Sequence, residues 1–139
     1  MTLDNLKSTL PFTWSKLTTS LPDQYNSDNP ALGQCAVTAL VIQDYWGGKI
    51  VNTIVTYENG LTTSHYFNII DGQAIDITRS QFPSNVKYSK PKQKLKNFSS
   101  TREYILSNHL TARRYRLLKS RVDKLLDEQI SSSLNDAVL

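Results

Sequence analysis

Leu32-Gly33-Gln34-Cys35-Ala36-Val37-Thr38-Ala39-Leu40-Val41-Ile42-Gln43-Asp44-Tyr45-Trp46-Gly47-Gly48 holds the longest apolar run in the chain and its only cysteine. From Ala36 to Trp46 the residues are apolar nearly all round, the mark of a helix buried in the middle of a fold. The β-branched residues leave a strand possible. The length of the segment and the Gly47-Gly48 stop, where glycine can take a left-handed cap, predict a helix. Cys35 then falls where a glycine-containing loop gives way to that helix.

Downstream of Gly48 the pattern changes to strands. Residues 49–57 are rich in Val, Ile and Thr, and Glu58-Asn59-Gly60 is a turn signal. A second strand is predicted over Thr62–Ile70, a tight turn at Asp71-Gly72 and a third strand over 73–78. One helix followed by an antiparallel meander is therefore the expected core. Upstream, residues 1–21 read as one or two short helical pieces broken at Pro11, with Trp14 and Leu17 as anchors to the core. Residues 22–30 read as a loop. Beyond Arg79 the chain is irregular and basic, with Lys87, Lys90, Lys92, Lys94 and Lys96 around Pro91 and a short edge strand over 86–88. Ser100-Thr101-Arg102-Glu103 has the form of a capping box and should open a helix that breaks near Asn108. A last helix is predicted over 111–129, with Tyr115, Leu118, Val122, Leu125 and Leu126 at helical spacing.

The chain has 139 residues, 39% of them hydrophobic, and a net charge of +4. That length is one domain's worth, so a single domain over 1–139 is expected, with its core over about 12–130 and a frayed tail over 131–139. The mild positive charge does not by itself indicate nucleic acid. Lysines in 87–96 are interleaved with few aromatics, so they read as a solvated loop more readily than as a single-strand binding surface. One cysteine closes no internal disulfide, and Cys, His and Asp alone make an improbable zinc site. No phosphate loop or dinucleotide fingerprint is present, so no metal and no cofactor are expected. The apolar run is far too short to span a bilayer, and the first ten residues carry no secretory signal. A soluble, cytoplasmic, reducing setting is the expectation, and it suits a free thiol.

Three residues carry the candidate chemistry. A helix start offers unpaired N–H groups and a positive dipole end, which stabilise a thiolate at Cys35 and can hold an oxyanion. The plainer role for Cys35 is a buried, inert side chain. The hairpin shifts the balance. If Asp71-Gly72 is a symmetric turn, Ile70 faces Gln73, Phe67 faces Asp76 and His65 faces Thr78. His65 and Asp76 then lie diagonally on one sheet face, with backbones about 7–8 Å apart, where a carboxylate can orient an imidazole. A slip of one residue would put them on opposite faces. The other histidine, His109, falls in the predicted helix break and reads as a surface residue.

The stretches Asn29-Pro30-Ala31-Leu32-Gly33-Gln34-Cys35, His65-Tyr66-Phe67-Asn68 and Asp71 through Phe82, together with Thr111 through Leu118, resemble the YunG-like family of small bacterial proteins over roughly 14–122. The order of helix with cysteine, strand with histidine and strand with aspartate also resembles papain-like enzymes, including transglutaminase-like and NlpC-type peptidase domains. That wider resemblance implies an α+β fold with a papain-like core: a buried cysteine-bearing helix packed on a small antiparallel sheet, plus C-terminal helices. It implies Cys35 as nucleophile, His65 as base and Asp76 as orienting acid. Papain-like enzymes often place a glutamine shortly before the cysteine as oxyanion donor. Gln34, Asn29 and Gln24 are the candidates, beside the Cys35 N–H. Ala36 stands where tryptophan often follows the papain cysteine, so papain-type peptide specificity is not implied. The expected function is a cysteine-dependent hydrolase or acyltransferase acting on an amide, ester or thioester. The alternatives are a non-catalytic binding or regulatory module on the same fold and a redox-sensing thiol. The sequence names neither substrate nor oligomeric state.

Overall fold

The computed structural model describes residues 2–138. It is an α+β structure in which a small curled antiparallel sheet packs with helices from both ends of the chain. The sequence opens with helix α1 (Leu3–Thr9), whose N-cap Thr2 accepts from the Asn5 N–H. Pro11 turns the chain into a short 3-10 segment, Leu10–Phe12, as the break signal requires. Helix α2 (Cys35–Trp46) follows the loop. Then come strands β1 (Lys49–Thr56), β2 (Thr62–Ile70), β3 (Gln73–Ile75) and β4 (Lys87–Tyr88), in sheet order β3-β2-β1-β4. Helices α3 (Thr101–Leu106) and α4 (His109–Val138) close the chain.

Helix α2 is apolar all round because two apolar clusters share it. Val37, Val41 and Ile42 pack with Leu6, Leu10 and Trp14 from the N-terminal segment and with Leu118, Val122 and Leu126 of α4. Ala39 and Leu40 pack with Ile50 of β1 and Ile105 of α3. Two buried polar bonds fix its place. Trp14 Nε1 donates to Thr38 Oγ1 at 2.9 Å, and Asn68 Nδ2 of β2 donates to the Ala39 carbonyl at 2.9 Å. Gly47 ends the helix at φ +69°, with its N–H on the Gln43 carbonyl. Gly48, at φ +74°, lets the chain enter β1: a Cβ there would lie 2.4 Å from the Ile69 carbonyl oxygen.

The hairpin register is the predicted one, with Ile70 opposite Gln73 and Ile69 opposite Ala74. The third strand is shorter than predicted and ends at Ile75, so Asp76 lies just past the ladder. The reason is local. The Asp76 carboxylate accepts from Thr78 Oγ1 and Arg79 Nε, and this side-chain bonding draws the chain into a turn and the 3-10 segment Arg79–Gln81. Residues 22–30 are turns with one 3-10 segment, Pro22–Gln24.

The basic segment does more than loop through solvent. Its backbone pairs at Lys87–Tyr88 and again at Lys92, which exchanges two hydrogen bonds with Asn52, and so covers the open edge of β1. Ser100 caps α3 by accepting from the Glu103 N–H at 3.1 Å, the bond its sequence predicts. Asn108 starts α4 by accepting from the Thr111 N–H. With no glycine or proline beyond Gln129 to stop it, α4 continues through Val138. Leu139, the end of the expected tail, lies outside the described residues. Trp14 is buried as expected. Leu17 is 65% exposed and is no anchor. The turn around it is held by Ser15 and Thr18, whose hydroxyls bond its backbone and leave the leucine on the outside. No described helix is long and apolar enough to cross a membrane.

Candidate functional site

Cys35 is the first residue of α2 and is half-buried. Gln34 precedes it and gives the helix no side-chain cap, so the first N–H groups are not taken by a capping oxygen. The loop that delivers Cys35 is clamped. Gly33 sits at φ +75°, with the Thr19 hydroxyl and the Leu21 backbone so close that an added Cβ would meet Thr19 Oγ1 at 2.2 Å. Ser20 N–H bonds the Gly33 carbonyl, and Thr19 Oγ1 donates to the Leu32 carbonyl at 2.7 Å.

His65, in β2, is fully buried. Its Nε2 and Asp76 Oδ2 are 2.8 Å apart. Phe82 meets the ring edge-on at 5.0 Å between centroids, and Phe67 stacks at 6.0 Å. With Nε2 donating to Asp76, Nδ1 is the nitrogen left over. It is buried and has no well-formed hydrogen-bond partner. The Cys35 side chain is nonetheless near enough to act on the ring's charge. Burial, the largest influence, favours the neutral ring. The Asp76 hydrogen bond, the nearby Cys35 sulfur and the charges of both outweigh it, and the His65 pKa is pushed up to about 9. At neutral pH the ring is an imidazolium held between a carboxylate and a sulfur.

Asp76 is 7% exposed and carries two cationic partners on one oxygen, since Arg79 Nε also reaches Oδ2 at 3.1 Å. The Arg79 guanidinium lies over the Tyr88 ring at 4.1 Å. The three proposed oxyanion donors fare differently. Gln34 is fully buried and donates Nε2 to the Ser15 carbonyl at 3.1 Å, while its Oε1 has no partner. Asn29 donates Nδ2 to the Gln81 carbonyl. Gln24 is exposed on its 3-10 turn.

Gln81 is a residue that sequence reasoning passed over. Its Oε1 accepts from the Gly33 N–H at 3.2 Å, its backbone carbonyl accepts from Asn29 and its Nε2 donates to the Thr78 carbonyl. It thereby ties the cysteine loop to the segment that carries Asp76. Phe82 was missed in the same way. The signal was available only as their place in the stretch that ends at Phe82, because nothing in their spacing reveals a long-range bond.

Among the described residues no group of three or more His, Cys, Asp and Glu is arranged to hold a metal ion. The assembled side chains are a thiol, a buried imidazole and a carboxylate bonded to that imidazole. No solved structure matches the chain significantly. A Bacillus subtilis (strain 168) protein described as "Uncharacterized protein YunG" is 34% identical over 102 residues, covering 73% of this chain and 82% of that protein. The family model described as "YunG protein" matches residues 2–127, and the chain belongs to that family.

Proposed function

We propose that the protein is a cysteine-dependent hydrolase or acyltransferase built on a papain-like arrangement, with Cys35 as nucleophile, His65 as acid–base and Asp76 as the group that orients the ring. One observation carries this reading. His65 is buried with one nitrogen on Asp76 and the other without a firm partner beside a half-buried thiol at a helix start. With the shared proton on the His65 imidazolium, the Cys35 sulfur adds as the thiolate to the carbonyl carbon of an amide, ester or thioester. The backbone N–H groups at the start of α2 face the developing oxyanion. His65 then gives its proton to the leaving group as the carbon–heteroatom bond breaks, and a thioester to Cys35 remains. Water or an amine attacks that thioester, losing a proton to His65, and the sulfur leaves as the thiolate, which restores its pair with the imidazolium. Asp76 keeps Nε2 protonated throughout.

The test is activity-based labelling of Cys35, followed by a screen of peptide, isopeptide, ester and thioester substrates. Cys35→Ala and Cys35→Ser should fold and lose turnover. His65→Ala should be nearly as damaging, because the two groups act as a unit. A ligand whose binding and fate are both indifferent to Cys35 and His65 would overturn the reading in favour of a binding module.

A further inference from the structure

A cavity of about 340 Å³ opens near the start of α2. Its lining includes Ala36, next after Cys35, and Tyr66 of β2, along with Tyr104, Ser107, Asn108 and Thr111. Cys35 and Tyr66 influence each other electrostatically, as neighbours do, and burial followed by the charges of Tyr104 and Cys35 pushes the Tyr66 pKa up to about 12. The phenol therefore stays a neutral donor across the working pH range.

Lys94 stands beside the two tyrosines. Its ammonium is 5.9 Å from the Tyr66 ring centre and 5.6 Å from that of Tyr104. Among the lysines of 87–96, only Lys94 is partly buried, and its backbone is pinned where its N–H donates to the buried Thr101 hydroxyl at 2.9 Å. A lysine ammonium has three N–H donors. One reaches Ser64 Oγ at 3.3 Å. Among the described residues no carboxylate forms an ion pair with it. A positioned cation with unspent donors, over aromatic faces and next to a polar cleft, is complementary to an anion.

We propose that this cavity is a substrate subsite of the thiol enzyme, and that Lys94 selects substrates bearing a carboxylate close to the scissile carbonyl, such as an acidic side chain. The assignment rests on the nucleophile reading above. The cavity's size suits one amino-acid residue, and its hydroxyl and amide lining suits the polar backbone beside that carboxylate.

The experiment compares two alkylating probes of equal size, the α-amides of N-iodoacetyl-glutamate and N-iodoacetyl-glutamine, with plain iodoacetamide as reference. Cys35 alkylation is followed by intact mass. The glutamate probe should react about fivefold faster than the glutamine probe, the ratio a partly exposed ion pair supports. Lys94→Gln should abolish that preference, read as the ratio of the two probe rates. Lys94→Arg should retain the preference. Lys90→Gln, which removes the same charge from an exposed site nearby, should also retain it. Lys94→Met keeps the apolar stem and replaces the glutamine variant should the latter not fold. Equal probe rates in the wild type, or a preference that survives loss of Lys94, would overturn the subsite while leaving the nucleophile intact. Failure of plain iodoacetamide to modify Cys35 would remove both.

Discussion

Replacing Asp76 by asparagine should move the titration of a single buried ring. His65 has a pKa of about 9 against an ordinary 6.5, although burial pulls the other way. The Asp76 hydrogen bond is the largest effect holding it up, and Asp76 Oδ2 is 2.8 Å from Nε2. Asparagine keeps the shape and removes the charge. Burial then acts against a weaker opposition, and the His65 pKa should fall by about 2 pH units. The assay is a ¹³C or ¹⁵N NMR titration of the His65 imidazole. The same substitution should reshape stability against pH. A folded pKa raised from 6.5 to about 9 means that the folded state binds the proton more tightly. The stabilisation is complete below about pH 6.5 and is lost as pH rises through about 9; it amounts to about 3 kcal/mol at about 1.4 kcal/mol per pH unit. Wild type should lose that much across this window in denaturant titrations, and Asp76→Asn should lose far less. A His65 that titrates near the ordinary 6.5 in the wild type, or an unchanged His65 in Asp76→Asn, would refute the argument from burial and bonding.

Other outcomes follow from the same contacts. Cys35→Ala should also lower the His65 pKa, since the thiol adds to the raised value; NMR titration of the variant checks it. His65→Ala should slow iodoacetamide labelling of Cys35 at neutral pH by about tenfold or more, read by mass spectrometry on protein shown by circular dichroism to be folded. Gly33→Ala should destabilise by about 2 kcal/mol or more, because it adds a Cβ at positive φ and drives it into Thr19; urea unfolding measures the loss. Leu118→Ala removes a fully buried side chain from the contact of α4 with α2, and urea unfolding should show a loss of about 2–5 kcal/mol.

Much of this architecture is local, and local chemistry is what a sequence displays. The all-round apolar run at 36–46 marks α2, the Asp71-Gly72 turn sets the register that pairs Ile70 with Gln73, and Ser100 announces the start of α3. Each depends on residues a few positions apart. That register also brought His65 and Asp76 to one side of the hairpin, so their pairing was legible before the ladder was found to stop at Ile75. Tertiary structure alone decided the rest. The direction of the Gln34 amide, turned inward to Ser15, depends on how residues 13–21 pack beneath the cysteine loop. Gln81 reaches 48 positions back to Gly33, and Lys94 finds Tyr66 and Tyr104 across three separate segments. Such bonds leave no periodicity in the chain. They exist only once the apolar clusters on both sides of α2 have closed and fixed the distances between segments that the sequence holds far apart.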